Sequence, residues 1–377
     1  MKPRYTVIIY TPQDLNHSSY MQTGLFELEN MGLIRCELKI DISKKVGRIS
    51  TETGKSLISN HPQQKTSFYK LIDHYLSKEF FFAGDLYDIS HFFSQYALEN
   101  CDFIFKRNYV SKDIDCLESE FKNKIYPMGL TLGVQGSSRK FWGLLKLSYF
   151  FANLNLKLKL DRNLIKRIRN VISHTSRHIE YVTRGRSIDL LEKTPESTEL
   201  NVFYQVRCFP QIHDENVKII HRERSSLIRL LKNQLNDFYL GGIVPGEISN
   251  TYYKDCLTTL PTDPVSYIAQ IKKSSICIYT KGLQNSPARK LSEYLSQGKC
   301  IVAERFETEL PVPLENGKNI IYFDSPEHCV EICKELLKNP KKVKLLSKNA
   351  RVYFETHVHP VKNVKRILEL MLNHKIN

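Results

Sequence analysis

The chain has no run of 18 apolar residues, which excludes a helix long enough to span a bilayer. Acidic side chains are outnumbered: 40 Asp and Glu face 55 Lys and Arg, for a formal charge of +15. Such a surface implies an anionic partner, whether phosphates, nucleic acid or a lipid headgroup layer. Cys-x-x-Cys pairs are missing although nine cysteines are present, which removes the usual zinc and dithiol signatures. An odd number of unpatterned thiols fits a reducing compartment. Cys329 and Cys333, four apart, read as neighbours on the apolar face of a helix. Met1-Lys2-Pro3-Arg4 runs straight into a β-branched stretch, without the apolar centre of a secretory leader. A cytoplasmic protein is expected. The remainder is ordinary for a globular chain: 41% hydrophobic, 25% charged, and 377 residues, which suits two domains.

The opening reads as β-loop-α-β. Residues 5–10 form a β-branched and aromatic strand, residues 20–31 a helix, and residues 35–42 a second strand. In a doubly wound sheet, ligands gather where strands end. The loop from Pro12 to Ser19 lies at such an end, so Asp14 and His17 are placed to meet a substrate or to cap the helix. Gly54-Lys55-Ser56 suggests a phosphate loop, but the glycine required at position 49 is Ile49. Residues 43–66 then read as a loop. Phe80-Phe81-Phe82 begins another strand, followed by a polar group, Asp85, Asp88 and His91. Each is a candidate for substrate binding or for a general base, or else a cap or loop residue. Asp113-Ile114-Asp115 is a lone Asp-x-Asp.

Residues 139–169 hold nine Lys and Arg against one acid, Asp161, and include the only tryptophan, Trp142. Two readings fit. Aromatic residues could enter a headgroup boundary with the cations on anionic lipid, or the helix could be buried with a basic outer side. Asn155–Leu160 alternates in the manner of a strand. Residues 183–199 read as a linker.

Beyond the linker the pattern alternates strands and helices. Residues 201–206 form a strand with Arg207 at its end, residues 222–236 a helix striped by Leu227, Leu230, Leu231 and Leu235, and residues 276–280 another strand. The stretch 285–302 then reads as loop, helix, glycine turn, strand. Ser286 fits an N-cap, Pro287 the first helical position, and Gly298 a left-handed stop. A helix start binds anions well. Arg289 and Lys290 fall in that first turn, where the dipole disfavours cations unless an anion docks nearby. Glu293 shares their face, opposite Leu291, Tyr294 and Leu295. The face is either a receptor for a diphosphate and a ribose or an ordinary solvated helix face.

Leu314-Glu-Asn-Gly-Lys-Asn319 follows, then Ser325-Pro326-Glu327 as another capped start, and Asn349-Ala350-Arg351 in a later helix. From about residue 200 onward, this series resembles the C-terminal half of GT-B glycosyltransferases, closest to family 4 and the spore-maturation glycosyltransferase-like group. The resemblance implies an α/β protein of two Rossmann-like domains facing across a cleft: 1–195, joined by a terminal helix (361–377) that crosses back, and 196–360. It implies metal-independent transfer from a nucleotide-sugar donor to a glycan or lipid-linked acceptor, as in surface polysaccharide synthesis. No cofactor is expected beyond the co-substrate. Glu293 would bind ribose hydroxyls, and Arg207, Ser286, Arg289 and Lys290 the diphosphate. Asp85, Asp88, His91 or His17 would serve the acceptor side or contact the donor sugar. One departure stands out: family 4 places a second Glu eight residues before Glu293, where this chain has Asn285. An epimerase of the same fold, a basic nucleic-acid-binding protein and a silent scaffold are the alternatives, and no nucleic-acid motif is present.

Overall fold

The computed structural model describes residues 3–41, 47–53, 56–57, 65–136, 142–148, 164–166, 168–170, 172–173, 176, 187–195 and 198–376. Two compact α/β units result. One comprises Met1–Leu190 with Thr308–Pro311 and Val358–Asn377; the other comprises Leu191–Glu307 with Val312–His357.

In the first unit, strand β1 (Tyr5–Thr11), helix α1 (Leu15–Asn30) and strand β2 (Arg35–Ile40) make the expected β-α-β start, with β1 and β2 parallel. Asp14 caps α1, accepting the Asn16 N–H at 3.0 Å. The sheet then departs from a doubly wound pattern. Strand β3 (Thr66–Asp73) and strand β4 (Lys78–Asp85) form a hairpin, and β3 runs antiparallel to both β1 and β4. The run Thr66-Ser-Phe-Tyr-Lys-Leu-Ile-Asp73 carries strand chemistry that the sequence reading missed, and a turn ending at Ser77 (φ 52°) reverses the chain. Strands β5 (Phe103–Lys106) and β6 (Ile125–Pro127) continue parallel to β4, giving the order β2-β1-β3-β4-β5-β6.

Trp142 is not an interfacial anchor. It is 1% exposed, its ring meets Phe26 of α1 edge-on at 5.7 Å, and Leu145 is buried with it in the core. Arg139, Lys140, Lys157, Lys159, Arg162, Arg167 and the alternating run 155–160 lie outside the described residues, as do Gly54 and Lys55.

The terminal helix (Pro360–Leu372) packs its Val361, Val364, Ile367, Leu368 and Met371 into the core of this unit. Polar latches fix it in register. Tyr20 donates to Val358 O at 2.6 Å, and Asn363 donates to Met128 O at 2.9 Å.

The second unit holds one parallel sheet: β7 (Glu199–Val206), β8 (Tyr239–Ile243), β9 (Ser274–Tyr279), β10 (Cys300–Glu304) and β11 (Ile321–Phe323), in the order β8-β7-β9-β10-β11. Its longer helices are α2 (Glu215–Leu235), α3 (Pro264–Lys273), α4 (Arg289–Ser296), α5 (Pro326–Leu337) and α6 (Pro340–Tyr353). Alternation along β7 sends Val202, Tyr204 and Val206 into a core with Leu227 and Leu231 of α2 and Cys329 and Cys333 of α5. Phe203 faces the other way, 5.7 Å from the ring of Tyr267 on α3.

Gly24 lets α1 and the terminal helix approach closely, since a Cβ there would lie 2.6 Å from Pro360 O and 2.4 Å from a methyl of Val364. Main chain cannot step aside as a flexible side chain can. Gly24→Ala should therefore cost about 1–3 kcal/mol, measured by urea unfolding. An unchanged midpoint would show that this packing is looser than described.

Candidate functional site

Numbered from β7, the second sheet runs 2-1-3-4-5, a doubly wound order. Its topological switch point lies between β7 and β9, where successive connections leave to opposite sides and a crevice opens at the carboxyl ends of the strands. Arg207 follows β7 there and is exposed; Thr280 and Lys281 follow β9. Lys281 pairs with Glu304 at the end of β10: its ammonium lies 2.9 Å from one carboxylate oxygen and its N–H donates to the other at 3.0 Å. Burial lowers the pKa of Lys281, but Glu304 outweighs this and holds it above the ordinary lysine value.

The helix that approaches this edge begins later than its sequence suggests. Ser286 is not its N-cap. Gln284 and Asn285 both take positive φ (56° and 54°), closing a tight turn that draws Ser286 back. The Ser286 N–H and hydroxyl both donate to Leu283 O, at 3.2 and 2.8 Å, so neither is offered to a ligand. Pro287 keeps Ser286 extended, and Ala288 precedes the first helical residue, Arg289. The Ala288 N–H donates to the Tyr279 hydroxyl at 2.9 Å, which ties the helix start to the end of β9.

The helix ends as its glycine implies. Gly298 (φ 56°) donates to Leu295 O at 3.0 Å and Lys299 to Tyr294 O at 3.1 Å, a Schellman pair.

Lys290 lies over the end of β7. Its ammonium donates to Gln205 O and sits 5.1 Å from the Tyr267 ring. Arg289 is half-buried beside it. Glu293 is fully buried, one turn on, beside Tyr267 and Tyr294, whose hydroxyls are 3.2 Å apart. Burial first, with the Glu293 carboxylate adding, holds both phenols well above their usual range. The last six residues of α4 are all buried, so an ordinary solvated charged face does not describe this helix. Arg289 and Lys290 in its first turn, together with Arg207 and Lys281, are the cations around the switch point.

Two groups escaped the sequence reading. Gln205 is 1% exposed, and neither atom of its amide has a hydrogen-bond partner among the described residues. Arg224 is buried beneath the loops, its Nη atoms donating to Arg207 O at 2.9 Å and Lys281 O at 3.2 Å. A cation three residues before Leu227 falls on the apolar stripe of α2, and that was the available signal.

In the first unit, Asp85 and Lys106 are both fully buried, 3.8 Å apart, where β4 and β5 end. Burial raises the carboxyl pKa and lowers that of the ammonium, and each charge partly counters the shift of the other. Asp88 lies 2.5 Å from Lys65 and 2.5 Å from Arg107. Burial would raise its pKa, but Arg107 and then Lys65 carry it well below the carboxylate range. His91 Nε2 is 2.9 Å from a Glu52 oxygen, with the ring edge-on to Phe92. His17 Nε2 is 3.9 Å from Asp14. Among the described residues, no group of three or more His, Cys, Asp or Glu is arranged to hold a metal ion.

Residues 223–369, less than half of the chain, match a sequence family described as glycosyl transferase-like. No curated protein matches the sequence. Among solved structures, TarM is similar at 14% identity and a TM-score of 0.35, over 48% of this chain and 36% of that one. Sucrose-phosphate synthase from Thermosynechococcus elongatus is similar at 9% identity and a TM-score of 0.35, over 72% of this chain and 73% of that one. Anabaena Alr3699/HepE, solved with UDP and glucose, is similar at 13% identity and a TM-score of 0.36, over 72% and 78%. At such TM-scores the likeness lends nothing to a functional reading.

The depressed pKa of Asp88 has a linked consequence. Its ion pairs contribute stability that is full above the unfolded carboxylate pKa of about 4 and is lost as pH falls through the lower folded value. Urea unfolding followed from pH 7 to 3 should show this acid decline, and Asp88→Asn should be less stable at pH 7 with a shallower decline. Parallel pH curves for the two proteins would contradict the assignment.

Proposed function

We propose that the chain is a glycosyltransferase that moves a sugar from a nucleotide-sugar donor to a glycan or lipid-linked acceptor. The observation that carries this is the switch point between β7 and β9 with cations gathered around it. Arg207, Arg289 and Lys290 would neutralise the donor's diphosphate, and Lys281 joins them from the end of β9. Stabilising the negative charge that grows on the leaving diphosphate is the main catalytic contribution expected of such a group. Those cations supply it without a metal. Glu293, one turn into α4, is our candidate for the ribose hydroxyls. Ser286 leaves the diphosphate set, because its N–H is already bonded.

The first unit, with the terminal helix, would meet the acceptor. Asp88 is held as an anion by two cations and Asp85 is buried against a lysine, so neither suits a proton acceptor in this conformation. His91 suits it better. With its Nε2 proton toward Glu52, the ring presents Nδ1 as the basic atom, and the carboxylate fixes the tautomer. His17, in the first turn of α1, is the candidate for a donor-sugar contact. Synthesis of a surface polysaccharide on the cytoplasmic side of a membrane is the setting we favour. The basic stretch 139–169, without Trp142 as an anchor, would supply any peripheral attachment to anionic lipid.

A nucleotide-sugar panel screened by thermal shift tests the donor. One sugar nucleotide should raise the melting temperature, and Lys290→Ala should weaken its binding about tenfold or more. A shift that survives the substitution unchanged would remove α4 from the site. In the transfer assay, His91→Ala should lower kcat by about 100-fold or more. Nucleoside diphosphate released only with acceptor present marks transfer, whereas an epimerised donor without that release would make the protein an epimerase.

A further inference from the structure

Arg224 carries a charge where α2 would ordinarily bury an aliphatic side chain. It lies between Ile220 and Ile228 on the buried stripe and is 6% exposed. Removing a guanidinium from water costs several kcal/mol, and a carboxylate against it usually offsets part of that. Among the described residues no carboxylate lies within ion-pair distance of it, and Glu223, its neighbour in sequence, is felt only at longer range. Glu304 attracts Arg224 from beyond ion-pair distance and is already held by Lys281. The guanidinium bonds two main-chain oxygens instead, Arg207 O through Nη1 and Lys281 O through Nη2. Its Cζ lies 4.9 Å from the centroid of the Phe209 ring, and its Nε has no acceptor among the described residues. Burial lowers its pKa from the usual arginine value.

The position of the two oxygens gives the arrangement its meaning. Arg207 and Lys281 follow β7 and β9, the neighbours on either side of the switch point. One planar fork spans both from two separate nitrogens, where an ammonium would have to reach both from one. One turn earlier on α2, His221 Nε2 accepts the Phe209 N–H at 2.8 Å, so the loop after β7 is fastened at a second place. The floor of the crevice therefore holds a fixed span and a buried positive charge that no anion pairs among the described residues.

We propose that Arg224 is a positioning residue for the donor's diphosphate. It sets the spacing of the β7 and β9 ends and supplies a buried positive field beneath them, a field that a bound diphosphate completes. The proposal rests on the nucleotide-sugar reading above. It implies that the charge is kept for binding and adds little to stability.

Arg224→Met and Arg224→Lys test it, with UDP, GDP and ADP as probes in calorimetric titration and melting temperature measured alongside. Relief of an unpaired buried cation should offset the two lost bonds, leaving Arg224→Met within about 3 °C of wild type. Its affinity for the nucleotide that wild type binds should fall about tenfold or more, with Arg224→Lys between the two. Unchanged affinity with a lowered melting temperature would overturn the proposal, because that is the result of a purely structural strut. If Arg224→Met does not fold, Arg224→Lys decides alone: weaker binding supports the proposal and wild-type binding overturns it. A wild-type protein that binds none of the three would overturn the donor reading and this inference together.

Discussion

A parallel sheet leaves main-chain carbonyls at its carboxyl edge without strand partners, and they must be met by water, side chains or ligand. At the switch point of the second unit, two of them are met by one buried guanidinium. Much of the site follows from that fact. The Arg224 fork holds the residues after β7 and β9 together. The Tyr279 hydroxyl then takes the Ala288 N–H, which brings the start of α4 to the same edge. Lys290 closes the circuit by donating to Gln205 O on β7. Three connections thus fix two strand ends and a helix start around one point, and cations border it. The gathering of like charge is unfavourable by itself and becomes favourable when an anion arrives.

The first unit answers a different demand. Its last helix comes from the far end of the chain and is held by apolar packing on α1, made possible by the absence of a side chain at Gly24. At the opposite extreme of polarity, the edge where β4 and β5 end is crowded with charge. Asp85 with Lys106, and Asp88 with Lys65 and Arg107, are consumed in holding that edge together. Charged residues at a strand end are candidates for chemistry until their partners are known, and here the partners are cations already in place. The two His–carboxylate pairs, His91 with Glu52 and His17 with Asp14, are what remains for proton transfer or sugar contact.

Much of this was legible in the sequence where one residue type permits one local geometry. Gly298 announced the end of α4 and its Schellman bonds, Ser325-Pro326 announced α5, and the strand-helix alternation after residue 199 announced a parallel sheet. Reading failed where tertiary contacts chose between local options. Ser286-Pro287 is a good helix start on paper, yet two left-handed residues before it redirect the chain and the helix begins at Arg289. Trp142 beside a basic stretch suggested an interface, but the space against Phe26 claimed it for the core. Thr66–Asp73 is β-branched and aromatic enough to be a strand, but only its hairpin partner reveals that it runs antiparallel. Arg224 was hidden by its surroundings, since Arg222-Glu223-Arg224 looks like the solvated side of an amphipathic helix until the phase of the leucine stripe is followed back through it.

The central claim is that a nucleotide diphosphate docks where β7, β9 and α4 converge. Amide hydrogen exchange, with and without the nucleotide-sugar that best stabilises the protein, tests it most directly. The account predicts slowed exchange confined chiefly to residues 205–209 and 280–291 of the second unit. Protection that leaves both segments untouched, or that falls entirely in other parts of the chain, would contradict it.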